Sequence, residues 1–172
     1  MSDIEHIGKS PDELPTDAPK TSPKSCRIFI VHGHEPAPRE AVARFLSLLG
    51  FEPIILHEQA SGSGTVIEKI ERYGDVGFAV VLLTPDDEGG VKGGPIQPRV
   101  RQNVLLELGY FMARLSRPNV CVIKQGEVEL PSDFLGMVWT DFDSGGAWKQ
   151  ALGMELQEAG YDIDWNKVHG RR

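Results

Sequence analysis

Residues 76–84 read VGFAVVLLT, an apolar run with no polar alternation. A half-buried strand alternates apolar and polar side chains because its two faces meet different surroundings, whereas a run apolar at every position marks a strand covered on both faces. Such strands belong to parallel sheets sandwiched between helices. Working outward, RIFIV (27–31), EPIIL (52–56), VCVI (120–123) and MVWT (137–140) are further apolar runs of strand length. Amphipathic segments separate them, the pattern of a βαβ chain. One helix is expected from about Pro38 to Leu49, with Val42, Phe45, Leu46 and Leu49 on one face and Gly50 as its stop. A second opens at TVIE with Thr65 and Glu68 as a capping box, turns Val66, Ile67, Ile70 and Tyr73 inward and ends at Gly74. A third leaves the Gly/Pro-rich loop 85–99, and a last one runs from about Gly146 to Ala159, burying Trp148, Leu152 and Leu156. With right-handed crossovers this predicts an α/β fold, a doubly wound five-stranded parallel sheet of flavodoxin-like topology and order 2-1-3-4-5.

Composition bounds the rest. A chain of 172 residues, 40% hydrophobic and 25% charged, suits one packed domain. Its net charge of −7 and pI near 5.2 argue against a general nucleic-acid or anionic-membrane surface. Cys26 and Cys121 have neither CxxC neighbours nor metal-ligand spacing and suit a reducing cytosol. No apolar run approaches the roughly 18 residues of a membrane span, and the polar N-terminus is no signal peptide, so a cytoplasmic protein is expected. Residues 1–25, with Pro11, Pro15, Pro19 and Pro23 among polar residues, read as a flexible proline-rich tail. The domain is expected over 26–168, followed by a basic tail at 169–172.

In a doubly wound sheet the ligand crevice lies beyond the carboxyl ends of the strands where strand order reverses, here between the first and third strands. HGHEP (32–36), HEQASGSG (57–64) and PDDEGGVKGGPIQPR (85–99) are the loops that meet there. SGSGT (61–65) lacks the spacing of a phosphate loop and follows the wrong strand. His32 and His34 stand on loop positions that point in different directions, so no metal site is expected with Asp86 and Asp87. A phosphoacceptor receiver domain would need aspartates where this chain has His32 and Thr84.

The helix after the third loop contains RQNVLLELGYF (101–111). At about 100° per residue, Val100, Val104, Leu108, Phe111 and Leu115 form its apolar stripe, and Glu107 falls at the border of that stripe. A carboxylate there needs a partner or a chemical role. An ion pair with Arg99, Arg101 or Arg114 is one reading, and a carboxylate facing the crevice, kept ionised by the helix N-terminus, is the other.

FIVHGHE, EPIILHEQ, GFAVVLLTPDD, RVRQNVLLELGYF and LPSDFLG, in that order, resemble Toll/interleukin-1 receptor (TIR) domains. The bacterial subgroup that serves as effector in cyclic-nucleotide-triggered anti-phage defence, including fusions to STING-type sensors, is the most similar. The resemblance covers roughly residues 27–168. It implies the TIR topology and an NAD+ glycohydrolase whose essential glutamate maps onto Glu107, with NAD+ as substrate and no separate cofactor. It also implies activation by self-association around loop 57–64. Many catalytic TIR domains carry tryptophan four residues before the glutamate, where this chain has Asn103. The chain leaves no length for a STING-type sensor, so a cyclic-nucleotide sensor acting in trans is expected. Gly33, His34, Gln59, Thr84, Asp86, Arg99 and Asn103 are the candidate substrate-binding residues, Arg99 as a pyrophosphate contact. A non-catalytic TIR interaction module and a nucleoside deoxyribosyltransferase-like enzyme are the competing readings.

Overall fold

The computed structural model describes residues 24–55, 66–73, 75–134, 136 and 138–169. The expectations for Gln59, for the loop 57–64, for the Thr65 cap, for the Gly74 stop and for residues 1–23 and 170–172 lie outside the described residues. Along the chain the elements are β1 (Arg27–Val31), α1 (Pro36–Leu49), β2 (Glu52–Ile55), α2 (Val66–Tyr73), β3 (Phe78–Leu83), β4 (Asp87–Gly89), β5 (Gln97–Arg99), α3 (Gln102–Leu115), β6 (Val120–Lys124), β7 (Thr140–Asp141), α4 (Ala147–Glu158) and α5 (Trp165–Val168). The main sheet is parallel, in the order β2-β1-β3-β6-β7, which is the expected 2-1-3-4-5 with β6 and β7 as its fourth and fifth strands.

Every residue of β3 is buried, as its unbroken apolar run requires, because successive side chains feed two different cores. Phe78, Val80 and Leu82 join Ile28, Ile30, Val42, Phe45, Leu46, Trp148, Leu152 and Leu156 beneath α1 and α4. Ala79, Val81 and Leu83 join Phe29, Val31, Ile70, Val104, Leu108 and Phe111 beneath α2 and α3. Fully burying each large apolar side chain contributes roughly 1.5–3 kcal/mol before chain entropy is subtracted.

Several boundaries differ from expectation. Helix α1 begins at Pro36, two residues before Pro38, because Glu35 caps it: the Ala37 amide lies 3.5 Å from Glu35 Oε1. The loop 85–99 contains an antiparallel hairpin, β4 with β5, in register Asp87 with Arg99 and Gly89 with Gln97. The fifth strand of the main sheet is shorter than MVWT and starts only at Thr140, with Val138 exposed ahead of it. Helix α5 is an added turn capped by Asp164, whose Oδ1 accepts from the Asn166 amide at 3.0 Å. Lys24 and Ser25 reach the domain body: Lys24 Nζ donates to Asn119 Oδ1 at 2.9 Å, and the Tyr161 hydroxyl donates to the Ser25 carbonyl at 3.1 Å. Among the described residues no helix is long and apolar enough to cross a membrane.

Candidate functional site

Strands β1 and β3 are neighbours that continue to different sides of the sheet, so their carboxyl ends open the crevice. Beyond β1 the chain turns through His32, Gly33, His34 and Glu35 into α1, and beyond β3 it continues through Thr84, Pro85 and Asp86. Asp86 fastens the two together. Its Oδ1 accepts from the His34 amide at 2.9 Å and the Glu35 amide at 3.1 Å, and its Oδ2 accepts from the hydroxyl of Thr84. Thr84 is 2% exposed, so this bond also satisfies a buried hydroxyl.

Gly33 makes the approach possible. A Cβ there would stand 1.8 Å from Asp86 Oδ2 and 2.5 Å from its Cγ. Gly33→Ala is therefore expected to expel the Asp86 carboxylate and break its bonds to the two amides and Thr84. The expected loss is about 2 kcal/mol of stability in urea unfolding, since bonds to a charged acceptor are among the stronger ones. Unchanged stability would mean that Asp86 re-forms the same bonds after moving.

Helix α3 supplies the carboxylate. Glu107 lies in its second turn and is only 8% exposed, within the buried face formed by Val104, Leu108 and Phe111. Burial opposes any help from the helix N-terminus: it pushes the Glu107 pKa up to about 7, and the charge of Arg101 pulls the other way. Nor does the ion-pair reading hold among the described residues. Arg99 Nε pairs with Glu129 Oε2 at 2.5 Å, and Arg114 Nη1 donates to the Tyr110 hydroxyl at 2.9 Å. Arg101 instead meets the imidazole of His34, Nη1 against Nε2.

Gly33, His34, Thr84 and Asp86 are thus gathered at one end of the sheet and joined by Arg101, the residue before α3, while Glu107 lies in the second turn of that helix. Asn103 is exposed one turn before Glu107, about 40° from it around the helix. Arg99 stands apart. Its guanidinium holds the Glu129 carboxyl below the usual carboxylate range, and the Glu129 amide donates to the Pro98 carbonyl at 2.9 Å, so Arg99 ties the hairpin to the segment after β6. The adjoining cleft of about 250 Å³ is lined by Arg99, Gln102, Leu105, Glu129, Leu130 and Pro131. Leu105 lies on the flank of α3 roughly opposite Glu107. Arg101 is the site residue that sequence reasoning weighed only as an ion-pair partner; its contact with His34 spans 67 positions and leaves no local signal. No group of three or more metal-ligating side chains occurs among the described residues.

The sequence and fold are similar to those of known proteins. Residues 27–144 match the family described as CAP12/Pycsar effector protein, TIR domain. The uncharacterized protein YuaY of Escherichia coli is 49% identical over 148 residues, covering 85% of this chain and 50% of that protein. The Pycsar effector protein XpPycTIR of Xanthomonas perforans is 30% identical over 125 residues, covering 64% of this chain and 38% of that protein. This chain therefore spans half or less of the length of these two relatives. The crystal structure of the TIR domain of the Toll-related receptor TRR-2 from Hydra magnipapillata aligns with a TM-score of 0.51 at 14% identity, covering 75% of this chain and 97% of that one, and so shares the fold. With its sheet order, its strand-end turns and a family match running from β1 past β7, the chain belongs to the TIR domains of CAP12/Pycsar effector proteins.

Proposed function

We propose that this chain is an NAD+ glycohydrolase that cleaves the bond between nicotinamide and ribose. It takes NAD+ as substrate, requires no separate cofactor and acts in the cytoplasm as a self-associating effector of anti-phage defence. A cyclic-nucleotide signal supplies the trigger. The observation that carries this reading is Glu107, a carboxylate buried in an otherwise apolar helix face at the crevice end of the sheet, with no ion-pair partner among the described residues.

The chemistry asks for one carboxylate. Most glycosidic cleavages need a general acid for the leaving oxygen and a second carboxyl group at the sugar. Nicotinamide leaves a cationic pyridinium ring as a neutral molecule, taking the electron pair of the C1′–N bond, and needs no proton. Positive charge then builds on the ribose. An ionised Glu107 facing that charge stabilises the transition state more than the ground state, which is what accelerates a reaction. Water adds at C1′ and releases a proton, giving ADP-ribose. The description of the family as effectors supports the defence role.

The test is nicotinamide release from NAD+ by the purified protein, concentrated on beads to force association, beside a folded Glu107→Gln variant. Release by the wild type alone supports the reading. Equal release by both removes Glu107 from the mechanism, and base exchange on a nucleoside in place of nicotinamide release would favour a deoxyribosyltransferase.

A further inference from the structure

We propose that a segment of the chain's own N-terminus, residues 11–19, docks in a basic groove between α1, α4 and α5, with Leu14 on its apolar floor and Asp12, Glu13 and Asp17 against its cations. The proposal goes beyond the glycohydrolase reading and does not depend on it.

The groove lies on the side of the sheet away from α3 and Glu107. Two adjoining hollows of about 490 and 280 Å³ share Phe45, Leu48 and Lys149. Helix α5 packs against both α1 and α4, so the floor is apolar, with Ala41 and Phe45 from α1 and Val168 from α5. Leu48 is 54% exposed on the wall between the hollows. Apolar surface exposed inside a concave site favours an occupant with an apolar side chain. The rim is cationic. Arg44, Lys149 and Lys167 border the hollows, and none of the three forms an ion pair among the described residues. Glu40, also in the lining, is within 3.3 Å of Arg39. In a chain of net charge −7 such a patch is a local exception, and it selects an acidic occupant.

Residues 11–19 read PDELPTDAP, with Asp12, Glu13 and Asp17 around Leu14 and no cation among them. Pro11, Pro15 and Pro19 restrict the backbone toward the extended polyproline conformation, so less conformational entropy is lost on docking. The start of the described chain brings the segment within reach. Lys24 Nζ donates to the carbonyl of Ala159 at the end of α4, and the Ser25 carbonyl accepts from the Tyr161 hydroxyl at 3.1 Å. From Ala159 back to Lys149 is about 15 Å along α4, at about 1.5 Å per residue. From Lys24 back to Leu14 an extended chain spans about 31 Å, at about 3.1 Å per residue. The covalent tether also holds the segment at an effective concentration on the order of millimolar, so surface contacts that are weak one by one suffice. An untethered acidic peptide lacks that advantage.

The experiment uses the full chain, 15N-labelled, with a nitroxide on the thiol of Ser10→Cys in a Cys26→Ser background, since Cys26 is exposed and Cys121 is buried. The amide signals of Phe45, Leu48, Gly146 and Lys149 are expected to lose most of their intensity relative to the reduced label, while those of Leu106 and Arg114 on α3 keep theirs. Joint Asp12→Asn, Glu13→Gln and Asp17→Asn substitution should return most of the loss. Salt at about 1 M, where charges are screened beyond about 3 Å, should do the same. The substituted residues lie in the segment and not in the groove, so a distorted groove cannot account for the return. An even, slight loss over all exposed amides overturns the proposal. So does a loss at the groove that disappears when the labelled protein is diluted into excess unlabelled protein of natural isotope content, because the occupant would then come from a second copy. Groove signals that move with protein concentration whatever the charge of the segment would give this face to another copy of the domain and overturn it equally.

Discussion

Glu107→Gln is expected to lower nicotinamide release by about a thousandfold and, in the same protein, to make the fold more stable above pH 7. The first effect follows from charge. Glutamine matches glutamate in shape but puts no negative charge beside the ribose, and removing one preorganised electrostatic contact from an active site typically costs 10²–10³ in rate. The second effect follows from linkage. Burial raises the Glu107 pKa from the ordinary 4.5 to about 7, so between those values the folded chain binds more protons than the unfolded one. Glu107 therefore stabilises the fold relative to its ionised form below about pH 4.5, and that contribution is lost as pH rises through 7. Glutamine never ionises. At pH 8 the variant should gain about 2 kcal/mol, roughly 6 °C in Tm, and at pH 4.5 the two proteins should melt together. Coincident melting at pH 8 would mean that Glu107 carries no burial penalty, and an unchanged rate would remove it from the chemistry.

Burial pattern decides which parts of the molecule are legible in the sequence. The strands β1, β2, β3 and β6 announce themselves as apolar runs because both faces of a parallel sheet are covered, and order 2-1-3-4-5 follows from the handedness of their crossovers. The β4–β5 hairpin does not, because its strands have three residues each, are largely exposed and contain Pro98 and Gly89, so no periodicity marks them. Trp139 reads as strand by propensity, yet only Thr140 and Asp141 pair with β6, since β7 is an edge that a short segment closes. In the site, Glu107 was legible because a carboxylate breaks an apolar stripe, and Gly33, His34, Thr84 and Asp86 because they follow strand ends. Their pairings were not. Asp86 with His34 spans 52 positions, Arg101 with His34 spans 67 and Arg99 with Glu129 spans 30, and such partners are chosen by the fold. The same fold engages Arg99 with the Glu129 carboxylate.

Phe111→Ala is expected to be the most damaging single change to the fold, costing about 4 kcal/mol in urea unfolding, a large part of the 5–15 kcal/mol typical of a domain. Phe111 is 0% exposed; its ring centroid lies 4.7 Å from that of Phe29 on β1 and 5.2 Å from that of Tyr110. Removing the ring leaves a cavity between α3 and the central strands, which close-packed neighbours fill only in part. Leu106 on the same helix is 56% exposed, and Leu106→Ala should change stability by no more than about 0.5 kcal/mol. The contrast also bears on chemistry. Phe111 sits one turn after Glu107 on the buried face, so it sets how closely α3 approaches β1 and thus where the carboxylate stands relative to the crevice. If position matters as well as charge, Phe111→Ala lowers the rate of nicotinamide release under conditions where the variant is still fully folded, while Leu106→Ala does not. A variant that is destabilised yet turns over normally while folded would show that Glu107 works by its charge alone, without close registration of its helix against the sheet.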